Sequence, residues 1–436
     1  MPPRLARRGA TVGCSLTSAQ GAEHVDRSGQ RRHISARERG PLLVPHLAGA
    51  LLLAAAHVAT SPGTPIDLEV YRRAGEAVLG GGDQLYRGAD GLLPFTYPPF
   101  AAVLFTRLAL IPAGLATFVI AAVSYASLST IVVLSIRHLG IDRRLGLPIV
   151  LLAALTEPVA ETVRFGQVNL VLAALVLVDL LVLMPQHRRA AGLLLAAAIS
   201  IKLTPAIFLL VPLVRRDWRA LARVAAAGAA LTLLPAIAMP ASWLDFWTRA
   251  VWDPDRVGGV EFLANQSLTG AVSRAAGLDG IPALTAVLTV ILVLVAIVAV
   301  RCGWERDPLA ATVVVALCGL LVSPISWVHH WVWSVPLVLW LLAPHRAEAG
   351  RHRPLLVGLA AAWLVVLATR VIWLAPSGDG RELSASLPAT LLSDAYVLLG
   401  VVSLVAVTAV LVTTRPQRNT PASQVLPPEA AGAATR

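Results

Sequence analysis

Residues 190–214 read AAGLLLAAAISIKLTPAIFLLVPLV. The run is apolar from end to end apart from Ser200, Lys202 and Thr204, and Lys202 stands at its middle. A transmembrane helix needs roughly 20 apolar residues, so the run is long enough to enter a bilayer. Arginines flank it on both sides, Arg188 and Arg189 before it and Arg215 and Arg216 after it. Short arginine-rich connections belong on the cytoplasmic side. Both ends of the run therefore sit on one side, and the chain is expected to dip in and return with Lys202 near the turning point. Irregular backbone at membrane depth is tolerated only where it is buried in protein or lines a cavity. That marks the Lys202 region as a candidate site before any motif is considered.

The rest of the chain repeats the pattern. Apolar residues make up 56% of the 436 positions, charged residues 14%, and mean hydropathy is +0.72. Globular proteins average about 45–50% and 25%, so a soluble protein of this composition could not cover its surface. Three cysteines, Cys14, Cys302 and Cys318, exclude a disulfide scaffold. Apolar runs recur at 42–60, 97–136, 145–156, 167–185, 190–214, 224–239, 281–300, 309–327, 331–343, 354–374 and 391–413. The expected fold is all-α, a polytopic transmembrane helical bundle of about 11–13 membrane segments, several broken by proline. Residues 1–40 carry eight arginines and three acids and read as a basic cytoplasmic tail. The tail is too long for a signal-peptide n-region, so the first apolar run is a retained anchor. Residues 41–414 form the membrane domain, and the Pro- and Ala-rich 415–436 a disordered cytoplasmic tail.

The net charge of +11 has to be read by side of the membrane, not as a nucleic-acid footprint. Segments 1–40, 137–144, 186–189, 215–223, 301–307, 345–353 and 414–436 hold 25 arginines and 9 acids. Segments 61–96, 157–166, 242–280 and 375–394 hold 8 arginines and 15 acids. By the positive-inside rule the first set is cytoplasmic, with both termini, and the second lies outside the plasma membrane. The 97–136 run must then cross a net odd number of times.

Five polar stretches fall on the outer side. They are Ile66 to Tyr71; Leu85-Tyr86 with Pro94 to Phe100; Glu157 to Asn169; Asn265-Gln266-Ser267; and Ser323 to Trp331. Asp67 is the strongest catalytic candidate, because a carboxylate at the membrane surface can take a proton from a sugar hydroxyl. An Asp ahead of the stretch Leu68–Leu79 is equally a common helix N-cap. Glu69 is the alternative base, but a spacing of two turns it away from Asp67 on a helix. Lys202 in hydrocarbon costs about 2.5–3.5 kcal/mol and calls for an anionic partner. A phosphate would serve, as would Asp179. His329 and His330 could hold a sugar or phosphate, or simply belong to an interfacial belt with Trp327, Trp331 and Trp333. Arg164, Gln167 and Asn169 stand at a helix entrance, where capping is the plain alternative. Arg370 could snorkel to headgroups. Asp253-Pro254-Asp255 has a metal-binding spacing but reads more simply as a turn.

Taken in order, these motifs resemble glycosyltransferase family 87. The resemblance rests on Asp67 with Tyr71, Leu85-Tyr86 and Phe95-Thr96-Tyr97-Pro98-Pro99-Phe100. It extends through Gly166-Gln167-Val168-Asn169, Ile201-Lys202-Leu203-Thr204-Pro205, Asn265-Gln266-Ser267-Leu268 and Ser323-Pro324-Ile325-Ser326-Trp327 with His329-His330-Trp331. It runs from about residue 45 to 415 in consistent order. It implies a GT-C-type membrane fold and the activity of actinobacterial α-mannosyltransferases that use polyprenyl-phosphate mannose. The implied acceptor is a mannose-bearing glycolipid or lipoglycan, the linkage α-1,2, with inversion of a β-linked donor. Within that scheme Asp67 is the base, and Lys202 contacts the donor phosphate, helped by His329, His330 and Arg164. Tyr97, Gln167, Asn169 and Asn265 position substrate. No metal or other cofactor is needed, because phosphate is a good leaving group. The competing readings are transfer of arabinose or another lipid-linked sugar, and a flippase or transporter. The second is disfavoured by the absence of an internal repeat.

Overall fold

The computed structural model describes residues 40–61, 63–82, 85–86, 93–253, 256, 258–277, 282–343, 350 and 352–413. The expected tails fall outside these residues except at Gly40. The chain divides into a unit at Met1–Leu43 and a unit from Val44 onward, and all that follows concerns the second.

The described residues form helices joined by short turns, with no strand and one isolated bridge between Asn265 and Trp327. Four helices are long and apolar enough to cross a membrane: Ala113–His138, Trp218–Ala238, Pro282–Gly303 and Ala395–Thr413. Two helical stretches, Arg143–Ala154 and Glu157–Phe165, form a fifth candidate bent by 70° at the break before Pro158. Shorter apolar helices fill the space between, among them Asn169–Val178, Pro308–Val322, Ser334–Leu342 and Arg353–Thr369. The chain is a polytopic helical membrane protein.

Exposure sorts these helices by position. Only 22% of the apolar window in Pro282–Gly303 is buried, against 61% in Ala113–His138. On Pro282–Gly303 the exposed large apolar residues are Leu284, Val287, Val290, Ile291, Leu294 and Val298, a single broad helical stripe. Leu292, Ala296, Ala299 and Gly303 of the same helix turn inward. Such a stripe suits lipid tails, so Pro282–Gly303 is peripheral and Ala113–His138 central. Trp331, Trp363 and Tyr396 pack together in the core, with ring centroids 5.6–5.8 Å apart. Trp331 is thus a core residue and not part of an interfacial belt, the alternative considered for it from sequence.

Two breaks shape the site. The 97–136 run divides at Leu110–Pro112 into Pro99–Ala109 and Ala113–His138. Eleven helical residues span about 16 Å, too short for a hydrocarbon core of about 30 Å. Only the second helix can cross. The first instead packs on Ile66–Leu79, so closely that a Cβ on Gly75 would lie 2.7 Å from the Phe105 carbonyl oxygen. The 190–214 run breaks at the lysine, as expected. Helix Leu193–Ile201 ends there, Lys202 is extended (φ −148°, ψ 135°), and a 3-10 turn over Thr204–Leu209 follows. Asp179 is not the partner of Lys202. Its carboxylate accepts from the Gly192 and Leu195 amides at 2.7 and 2.8 Å, capping the helix that leads to the lysine.

Candidate active site

Helix Ile66–Leu79 begins after Pro65, which places Asp67 within the first turn and not at the cap. Its neighbour is set by Gly166, which ends helix Glu157–Phe165 in a left-handed conformation (φ 74°). A Cβ on Gly166 would lie 2.9 Å from that of Leu68. Only glycine permits both the turn and the approach, and the next residue, Gln167, thereby reaches Asp67. The Gln167 side chain hydrogen-bonds the Asp67 carboxylate. Its oxygen faces the other way, 2.9 Å from both the Tyr71 and the Tyr97 hydroxyl, which are 2.8 Å from each other. Since that oxygen can only accept, the amide nitrogen is the group left to donate to Asp67. Tyr86 completes the support by donating to the Tyr97 carbonyl at 2.7 Å. Burial pushes the Asp67 carboxyl above the usual carboxylate range, while the Gln167 hydrogen bond and the Lys202 charge pull it back. Glu69 points elsewhere. It is 48% exposed and lies 4.0 Å from Arg73 on its own helix.

Lys202 is held from two sides. Its Nζ donates to Asn169 Oδ1 at 3.2 Å and lies 3.1 Å from His330 Nε2. It also sits 5.2 Å above the Tyr97 ring. A charged lysine has only donors, so His330 Nε2 accepts, and one ammonium hydrogen remains uncommitted. Asn169 is itself oriented by donating to the His329 carbonyl at 3.0 Å, which also accepts from Thr162 at 2.8 Å. The adjacent histidines therefore differ. His330 is committed to Lys202, whereas His329 Nε2 is buried with no partner among the described residues.

Asp67, Lys202, His329, His330, Arg164, Tyr97 and Gln167 line one cavity of about 510 Å³. Ile66, Leu93, Phe262, Trp327 and Trp373 supply apolar wall. Asp67 and Lys202 feel each other's charge. Yet among the described residues no ion pair joins them, so the gap between carboxylate and ammonium stays open to a substrate. An acid, a cation and aromatic walls around one chamber suit group transfer to a hydroxyl, with a phosphate leaving.

Residues 95–324, more than half of the chain, match the sequence model described as glycosyltransferase family 87. The chain belongs to glycosyltransferase family 87. It is 36% identical over 323 residues to a polyprenol-phosphate-mannose-dependent alpha-(1-2)-phosphatidylinositol pentamannoside mannosyltransferase of Mycolicibacterium smegmatis, covering 71% of this chain and 78% of that one. It is 35% identical over 386 residues to a polyprenol-phosphate-mannose-dependent alpha-(1-2)-phosphatidylinositol mannoside mannosyltransferase of Mycobacterium tuberculosis, covering 81% and 87%. No solved structure matches.

Two residues expected to position substrate are absent from the chamber's lining in this family 87 enzyme. Asn169 reaches the chamber only through Lys202 and the His329 carbonyl. Asn265 does not line the chamber at all. Its amide nitrogen donates to Val260 O at 2.7 Å and Pro324 O at 3.2 Å, and its oxygen accepts from the Ser326 amide at 2.9 Å. It braces the loop that carries Trp327, and the other polar groups of its motif do likewise. Gln266 donates to Ser393 O at 2.6 Å, and Ser267 caps helix Leu268–Ala276.

The structure also adds residues that the sequence did not single out. Arg256 lines the chamber and donates to Phe95 O at 3.3 Å. Arg370 does not snorkel. It ion-pairs with Glu161 and lies 3.4 Å from Glu157. Glu157 also accepts from Trp373 at 2.5 Å and Tyr396 at 2.9 Å. Glu161 in turn holds Arg164, which remains 61% exposed at the chamber. Only the Glu161–Arg164 spacing of three was a visible signal for this cluster; the rest joins residues more than 200 positions apart. No cluster of three or more metal-ligating side chains occurs among the described residues. Pro254 and Asp255 of the D-x-D stretch lie outside them.

Proposed function

We propose that this glycosyltransferase moves mannose from polyprenyl-phosphate mannose to a hydroxyl of a phosphatidylinositol mannoside or related lipoglycan. The reading places the chamber at the outer face of the plasma membrane, with both termini cytoplasmic and the linkage α-1,2. The observation that carries it is the opposed, unjoined pair Asp67 and Lys202 in one chamber beside apolar helices. The acceptor oxygen attacks the anomeric carbon while its proton passes to the Asp67 carboxylate. The bond from that carbon to the phosphate oxygen breaks on the opposite face, inverting the centre. The electron pair leaves with the prenyl phosphate, whose growing charge meets the free Lys202 hydrogen. A preorganised donor in a water-poor site lowers such a barrier far more than one in water. Asp67 need only be ionised, and no general acid is required.

The names of the relatives support the donor and the acceptor class. The charge asymmetry of the connecting segments supports the sidedness. The test is transfer by membranes containing the protein, from radiolabelled polyprenyl-phosphate mannose to extracted phosphatidylinositol mannosides. The product should lose its label to an α-1,2-specific mannosidase. Transfer from polyprenyl-phosphate arabinose in place of mannose would overturn the choice of sugar.

A further inference from the structure

Three rings from distant parts of the chain meet on the chamber wall. Phe262 stands between Trp327 and Trp373, with centroids 6.1 and 6.4 Å away and planes inclined at 67° and 65°. Phe262 is 37% exposed and Trp373 41%. Each ring is fixed from behind by a buried polar group. The Trp373 indole nitrogen donates to Glu157 Oε1 at 2.5 Å, and that carboxylate is fully buried. Asn265 accepts from the Ser326 amide, one residue before Trp327. The Arg274 guanidinium, itself buried, donates to the Phe262 carbonyl at 3.2 Å. An interfacial tryptophan turns its N–H to water and headgroups and its ring to lipid. Trp373 is the reverse: its N–H faces the interior and its ring lines the chamber. Rings held this firmly, in a cavity that also carries Asp67 and Lys202, suit a ligand with apolar faces.

We propose that Phe262, Trp327 and Trp373 form an acceptor subsite, which holds the mannosyl residue next to the one being glycosylated. The inference rests on the mannosyltransferase reading of the chamber, with the accepting hydroxyl at Asp67. A hexopyranose carries C–H groups on its ring faces and hydroxyls around its edge. The face of an aromatic ring is negative and attracts those C–H groups. Glu161 and Arg164 line the same chamber and offer charged partners to the edge hydroxyls. The donor's single sugar is accounted for between Asp67 and Lys202, which leaves the aromatic wall to the second substrate. A cavity of about 510 Å³ is of the size that holds a drug-sized ligand, so it has room for more than one hexose. The enzyme therefore selects acceptors by the residue behind the accepting one, and needs two mannosyl units for its full rate.

The experiment uses the full-length protein in nanodiscs, polyprenyl-phosphate mannose, and two acceptors, octyl α-mannoside and octyl α-dimannoside. The readout is the ratio of kcat/KM for the dimannoside to that for the monomannoside. Because the ratio is internal to each preparation, a loss of folded protein alone does not move it. In the parent protein the ratio should be at least about tenfold, and Trp373→Ala and Phe262→Ala should each lower it by about fivefold to tenfold. Trp373→Phe loses the same hydrogen bond to Glu157 but keeps a ring, so its ratio should stay within about twofold of the parent's. A parent ratio near one, an unchanged ratio in the alanine variants, or a Trp373→Phe ratio as low as that of Trp373→Ala overturns the proposal. Dimannoside binding, followed by saturation-transfer NMR, needs no turnover. Binding that is lost in Trp373→Ala, with no mannose transfer by the parent protein, would leave the subsite standing and remove the mannosyltransferase reading, so the two failures are distinguishable.

Discussion

Replacing Gln167 by leucine tests how the Asp67 carboxylate is tuned. In the folded protein the Gln167 oxygen faces the Tyr71 and Tyr97 hydroxyls at 2.9 Å, which leaves its nitrogen toward Asp67. Leucine keeps the bulk and removes that donor. A hydrogen bond to a charged group is worth about 1.5–3 kcal/mol, and one pKa unit corresponds to about 1.4 kcal/mol. Loss of the bond disfavours the ionised form, so the Asp67 pKa, already raised by burial, rises by about one to two further units. A base must be ionised, so transfer is full above that pKa and falls as pH drops through it. The acid limb of kcat/KM therefore moves to higher pH by about one to two units. The assay is kcat/KM against pH in reconstituted membranes. Tyr71→Phe, which leaves Tyr97 to orient the amide, should give a smaller shift in the same direction. An unmoved limb in a folded Gln167→Leu protein, or one displaced to lower pH, would refute the reasoning.

Two further predictions concern positioning and stability. Asn169→Leu removes one of the two groups that hold Lys202 and should lower kcat by about tenfold to a hundredfold, with a smaller change in donor KM; steady-state kinetics on the long-chain donor decide it. Asp394→Ala strands the Arg274 guanidinium, whose side chain is 1% exposed, and should cost about 3–5 kcal/mol, read as a fall in thermal unfolding temperature in detergent. Replacing both partners by leucine should recover little of that loss, because the Arg274 side chain also serves the Glu261, Phe262 and Asn265 carbonyls.

Much of this site was legible in the chain. A single lysine in an apolar run could only be expensive or useful, and the helix breaks at that residue. Asp67 and Tyr71 are four apart, one helical turn, and both reach Gln167. Sorting the segments by charge brought Asp67, Gln167 and His329 to one side, and they line one chamber. What stayed hidden depends on tertiary contact. Asn265 has the donors and acceptors of a sugar-binding residue, and only the Val260, Pro324 and Ser326 backbone shows that its amide is spent on the loop. Arg370 at a helix end reads as snorkelling until Glu157 and Glu161 arrive from another part of the chain. The difference between His329 and His330 has no sequence signal at all, since it lies in which imidazole reaches Lys202.

The central claim is that Asp67 takes the acceptor proton across the chamber from Lys202. Its most direct test is single-turnover mannose transfer by Asp67→Asn, with donor binding measured on the same preparation. Asparagine preserves shape and removes the base, so the rate should fall about 10²–10⁴-fold while donor affinity changes little. A variant that binds donor normally and transfers mannose within about tenfold of the parent rate would contradict the account and send the search for the base to another residue.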